Sequence, residues 1–240
     1  MNRRRVLATV VLLITLMGGA GGLLLWLLAW EPELYARAQI EDAQERLRLS
    51  QEFEKRAFDL VNEIQNEDDW QAEFTEQQVN GWLAEDFVES NLARQMPQGI
   101  SEPRVAFQPG RLFLGFRYGG SSLSTVVSLQ ARVWIAPREP NTIAVEIERL
   151  RAGVLPIPLS FVHEAITEGS RQHNIDVQWY RREGNPVAVF RLHPDRRDPG
   201  IVLRELELGQ GTIRLRGLSL DPGIRGSLEW PFSPGRPGSP

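Results

Sequence analysis

The chain has 240 residues, with 27 basic and 31 acidic side chains and a formal net charge of −4. It has no cysteine, which excludes disulfide bonds and any reaction carried by a thiolate. Charge is uneven, with 18 acidic against 6 basic residues from Glu31 to Glu102 and 13 against 18 from Pro103 onward. This indicates two structural regions, and the acidic one argues against nucleic-acid binding.

Arg3, Arg4 and Arg5 lead into Val6–Trp30, a run without a charged side chain, and Glu31 and Glu33 follow it. About 20 apolar residues in a helix span the ~30 Å hydrocarbon core of a bilayer. The positive-inside bias then predicts a cytoplasmic N-terminus over 1–5, a transmembrane helix over 6–30 and an extracytoplasmic remainder. The protein is accordingly expected in the cell membrane, crossing it once. A cleaved signal peptide has an apolar core of about 7–15 residues ending at a small-x-small site. Gly18 and Ala20 imitate such a site, but Leu23–Leu28 continue the apolar run, so a retained anchor is expected. Gly18 and Gly22 form one small-xxx-small pair, which is common in membrane helices and is not read as a dimer seam.

Residues 31–69 read as an acidic helical stalk. Glu33 to Asn66 lacks glycine and proline, and Ile40, Ala43, Leu47, then Phe53, Ala57, Leu60 and Ile64 recur at spacings of three and four. The stripe slips between Leu47 and Phe53, so a long coiled coil is not supported. The segment either leaves the membrane as a stalk or lies on the domain.

An extracytoplasmic α+β domain is expected over 70–232, followed by a disordered tail over 233–240. Thr75 and Gln78 form a capping box, with Phe74 and Val79 as hydrophobic staple. They predict a helix over about Glu76 to Arg94, with Val79, Trp82, Leu83 and Phe87 on one side. From Arg104 the period becomes two: Val105 and Phe107 precede a Pro109–Gly110 turn, and Leu112, Leu114 and Phe116 follow it. Leu123 to Ile135 alternates over a long strand, and Ile143, Val145 and Ile147 form the next. Pro156 and Pro158 cannot continue a central strand, and a helix over Ser160 to Gln172 follows. Ile175–Tyr180 and Val187–Leu192 flank Gly184–Asn185 as a hairpin. In the last hairpin a Gln210–Gly211 loop sets Leu208 against Ile213, Leu206 against Leu215, Glu207 against Arg214 and Glu205 against Arg216. The fold class predicted is a long, curved, mainly antiparallel sheet packed with one or two helices.

Reactive constellations are sparse. His163, His173 and His193 have no zinc-motif spacing, and the chain contains no nucleophile elbow and no phosphate-binding glycine loop. Neither an enzymatic activity nor a cofactor or metal is expected. Arg196 and Arg197 are the best candidates for an anion contact, and Trp82, Leu83 and Phe87 are the candidate wall of an apolar ligand groove.

Three segments together resemble the YpmS-like family of bacterial single-pass membrane proteins. They are Phe74–Leu83, the strand around Leu129 to Ile135, and Gly153–Leu159 followed by a helix. The layout is also similar to tubular lipid-binding domains, in which a curved sheet wraps a long helix. That is a likeness of fold alone. The leading expectation is a non-enzymatic envelope protein binding a lipid or another apolar ligand. The alternative is a scaffold that binds a protein partner through the stalk helix or a sheet edge.

Overall fold

The computed structural model describes residues 3–89, 98–120, 124–136, 139, 141–172, 176–191 and 200–220, and the backbone alone for 3–14, 88–89, 161, 165 and 172. The tail expected over 233–240 lies outside the described residues. Helix α1 (Arg3–Leu28) covers most of the uncharged run. Among the described residues, whose side chains in α1 begin at Thr15, no helix is long and apolar enough to cross a membrane.

The region read as a stalk is two helices. The short α2 (Glu33–Arg37) starts behind Pro32. The long α3 (Ala43–Asn66) has its own N-cap, Asp42, whose carboxylate accepts hydrogen bonds from the N–H groups of Gln44 at 2.7 Å and Glu45 at 3.2 Å. A cap inside the acidic segment starts a new helix. Helix α3 lies on the domain, burying Leu49, Ser50 and Ala57.

Strand β1 (Asp69–Thr75) buries Trp70, Ala72 and Phe74 and exposes Asp69, Gln71 and Glu73. Helix α4 (Glu76–Ala84) follows with the capping box between Thr75 and Gln78 formed in both directions. The helix expected to about Arg94 is interrupted after Ala84, and its residues 90–94 lie outside the described residues. The chain breaks at Glu85, where Arg46 of α3 bonds the Glu85 carboxylate at 2.7 Å and Ser50 bonds Asp86. A short α5 (Asp86–Glu89) follows. Helices α3 and α4 cross closely at Gly81, where a Cβ would stand 2.7 Å from that of Leu49.

The rest is antiparallel sheet. Its strands are β2 (Ile100–Gln108), β3 (Arg111–Gly119), β4 (Ser124–Ile135), β5 (Thr142–Ala152), the two-residue β6 (Leu155–Pro156), β7 (Asp176–Arg182), β8 (Asn185–Arg191), β9 (Ile201–Leu208) and β10 (Thr212–Ser219). Helix α6 (Ser160–Gln172) lies between β6 and β7. The large sheet has the order β2-β3-β4-β5-β8-β7, with β6 on the free half of the β5 edge. The small sheet is β1-β10-β9. The last hairpin has the register expected, with Leu208 opposite Ile213 and Glu207 opposite Arg214. Strand β1 adds to it on the other side, so that Arg214 meets Glu73 at 2.6 Å as well as Glu207 at 3.5 Å.

Two asparagines join the layers. The buried Asn80 of α4 both donates to the Val105 carbonyl and accepts from its N–H, each at 2.8 Å, as a neighbouring strand would. Asn141 does the same for β9, accepting from the Leu203 N–H and donating to the Ile201 carbonyl. These contacts keep buried edge groups satisfied where the two sheets meet.

Candidate functional site

Trp82 and Leu83 do not line an open groove. They are 6% and 9% exposed and pack with Val105, Phe107 and Leu208 between α4 and the two sheets, with Phe87 partly buried against the cluster. Phe53 lies against Trp82 with ring centroids 5.2 Å apart, and Phe87 meets it edge-on at 5.4 Å. The amphipathic face of α4 is spent on closing the core. The second candidate, Arg196–Arg197, lies outside the described residues.

The informative geometry is where α1 ends. The Val154 N–H donates to the Leu27 carbonyl at 3.2 Å, and the Thr125 hydroxyl donates to the Leu28 carbonyl at 2.7 Å. Gly153 makes this approach feasible. Its φ is +57°, and a Cβ there would stand 2.2 Å from the Leu27 oxygen. The last carbonyls of a helix normally lack partners within it, and here the sheet supplies them.

Beyond α1 the chain forms a strap across β2 and β3. Glu31 pairs with Arg117 at 3.3 Å and with Arg104 at 3.6 Å. Tyr35 is 0% exposed and packs with Ala106, Phe113 and Val126. Its hydroxyl donates to the Glu102 carbonyl at 2.8 Å. The Arg104 guanidinium lies 4.2 Å from its ring centre and donates to its carbonyl at 3.1 Å. Gly115 leaves room for the ring, since a Cβ there would meet Tyr35 Cδ2 at 2.5 Å. Burial pushes the hydroxyl from its ordinary 10.0 up to about 12, against the opposing pull of the Arg104 charge.

Beside the strap is a recess of about 270 Å³ lined by Trp30, Pro32, Leu34, Phe113, Arg149 and Arg151 among others. A β-bulge positions its arginines. Gln130 pairs with Arg149 while Ala131 pairs with Ile147, leaving Glu148 as an extra residue in β5. Gln130 and Ala131 face opposite sides of the sheet, so the bulge turns Arg149 and Arg151 away from the core side that Ile147 occupies. They emerge beside Gln130 and Ser128, on the face crossed by the strap. Both arginines are exposed, and neither forms an ion pair among the described residues.

Several other arginines are ion-paired. Arg111 and Arg132 stand opposite each other, and Glu148 bridges them at 2.9 and 2.8 Å. Glu146, almost fully buried, lies 3.7 Å from Arg132 and accepts from Asn185 at 2.9 Å. The outer face of the small sheet is a ladder in which Arg214 and Arg216 meet Glu73, Glu205 and Glu207. His163 lies against the Trp179 ring with centroids 4.4 Å apart. Among the described residues no three His, Asp or Glu side chains are grouped so as to hold a metal.

Sequence reasoning missed Tyr35, Gly153, Arg149 and Arg151. A signal existed for the arginines: the acids Glu146 and Glu148 give way to Arg149 and Arg151 at the shifted parity that a bulge produces. Comparison with protein families, with curated proteins and with solved structures finds no match.

Proposed function

We propose that this is a single-pass membrane protein of the bacterial cell envelope, non-enzymatic, whose extracytoplasmic α+β domain is a scaffold held at a fixed orientation to the bilayer. The anchor would be the run from Val6 to Trp30. Three features support it: the arginines before the run, the acids after it, and a helical length from Val6 to Leu28 of roughly 34 Å, at ~1.5 Å per residue. Trp26 and Trp30 meet edge-on at 5.5 Å at its far end, where amphipathic rings favour a membrane interface. The resemblance to the YpmS-like family implies the same topology.

The observation that carries the scaffold reading is the clamp on α1. Bonds from Val154 and Thr125 to the last helix carbonyls, with Tyr35 seated beyond them, leave no slack between anchor and domain. A carrier that shuttles apolar cargo needs an open cavity, and the residues expected to wall it are core. A scaffold needs a presented surface. The outward side of α3 offers one: Phe58 is 69% exposed and Leu47 50% exposed. They are eleven residues apart, about three turns, and therefore on one stripe.

A photo-crosslinking residue at position 58 of the full chain, in native membranes, tests this. A discrete protein adduct that Leu47→Asp abolishes supports the scaffold. Adducts to lipid alone, or no adduct, contradict it. Deleting the segment would be uninformative, because α3 is part of the core.

A further inference from the structure

We propose that the recess beside the strap binds the phosphate of an anionic phospholipid in the leaflet where α1 ends. The inference rests on the anchor reading above and adds a ligand to it. Four observations lead there.

The first is position. The recess includes Gly153 and Val154, whose backbone touches the last turn of α1, and Trp30, the last residue of the uncharged run. If α1 crosses the bilayer, this wall of the domain meets the headgroups.

The second is charge. Arg149 and Arg151 project side by side after the bulge, and no carboxylate pairs with either among the described residues. Most other arginines of this sheet have assigned partners: Arg104 and Arg117 share Glu31 and Glu102, Arg111 and Arg132 share Glu148, and Arg191 holds Glu139 and Asp176. Glu33 is the one carboxylate among the lining residues, so the two arginines outnumber it. Guanidinium forks suit phosphate oxygens, and Ser128 and Gln130 add neutral polar groups on the same wall.

The third is size. About 270 Å³ is just below the ~300 Å³ at which small-molecule pockets begin, so it accommodates a headgroup rather than acyl chains. The fourth is the apolar side of the recess. Trp30, Pro32, Leu34 and Val154 would face the glycerol and upper chain region, with Trp30 and Val154 already exposed.

The test uses the full chain in nanodiscs of phosphatidylcholine containing a minor fraction of phosphatidylglycerol, with native mass spectrometry of the lipids that stay bound after detergent release. The wild type is expected to retain phosphatidylglycerol in preference to phosphatidylcholine. Arg149→Gln and Arg151→Gln should each lower that preference roughly fivefold, and the pair roughly thirtyfold. Glu33→Gln should raise it, while Arg181→Gln on the distant β7 should leave it unchanged. Both recess arginines are exposed, so melting curves of the variants should match the wild type. Unchanged retention in the double variant overturns the proposal. So does equal binding of soluble glycerol phosphate to the chain in phosphatidylcholine alone, which would make this a free-anion site. A chain that does not enter nanodiscs overturns the anchor reading itself. A chain that enters but shows no anionic preference overturns the headgroup site alone.

Discussion

Replacing Tyr35 by alanine should release the strap. The side chain is wholly buried, so its removal forfeits both transfer free energy and packing, about 3–5 kcal/mol for a large aromatic ring reduced to alanine. The loss of the Arg104 contact over the ring adds about 0.5–1 kcal/mol. Tyr35→Phe isolates the hydroxyl, and losing its bond to the Glu102 carbonyl should cost about 1 kcal/mol. The damage should be local, because the strap lies outside the Trp82 core. Hydrogen exchange of the full chain reads this directly. The Val154 amide, which bonds the Leu27 carbonyl, should lose protection in Tyr35→Ala while the Phe107 amide keeps it. The hydroxyl gives a second test. Its folded value is raised above the ordinary 10.0 to about 12, so its contribution is complete below pH 10 and is lost as pH rises towards 12. Alkaline loosening of the strap should therefore occur in the wild type and be absent in Tyr35→Phe. Unchanged Val154 exchange in Tyr35→Ala would refute the reasoning.

Trp82→Glu should unfold the domain rather than empty a pocket, since it buries a carboxylate in the cluster of Val105, Phe107 and Leu208; the loss of several kcal/mol would be seen in a denaturant midpoint. Gly153→Ala should detach the end of α1 at a cost of about 1–3 kcal/mol, seen as exchange at Val154, because its Cβ would overlap the Leu27 carbonyl and its φ is positive. Burial and the nearby Asp86 charge raise the Glu54 carboxyl above its ordinary 4.5. Its favourable contribution is thus present below that value and lost as pH rises through the folded one. Glu54→Gln should raise the melting temperature at neutral pH and make no difference in acid.

Local chemistry was legible in the sequence wherever a few adjacent residues decide it. The capping box at Thr75 and Gln78 needs only its own turn. The register of the last hairpin follows from its loop and from the matching of Glu205 and Glu207 with Arg216 and Arg214. The helix over Ser160–Gln172 has the expected limits. Strand β1 was not predicted: Trp70, Ala72 and Phe74 do alternate with Asp69, Gln71 and Glu73, but the acidic cluster before it reads as a helix interruption.

What escaped depends on distant partners. Tyr35 reads as one more residue of an acidic helix, and its seat is a carbonyl 67 residues away beside a glycine in another strand. Helix α4 reads as a longer helix because the contacts that break it, from Arg46 and Ser50, lie on α3. The apolar stripe of Trp82, Leu83 and Phe87 was identified correctly as a stripe. Whether such a face closes a core or lines a groove is decided by what packs on it, here Phe53 and Leu208. The bulge at Glu148, which re-aims Arg149 and Arg151, is a property of the β4–β5 pairing rather than of β5 alone.

The central claim is that anchor and domain form one rigid unit. Because the chain lacks cysteine, two introduced cysteines can carry spin labels, one at Leu23 in α1 and one at Glu164 in α6. The distance distribution between them, measured by pulsed electron resonance on the full chain in lipid, should be a single narrow peak that broadens in Tyr35→Ala. A broad distribution in the wild type would mean that the domain swings freely on its anchor, contradicting the account.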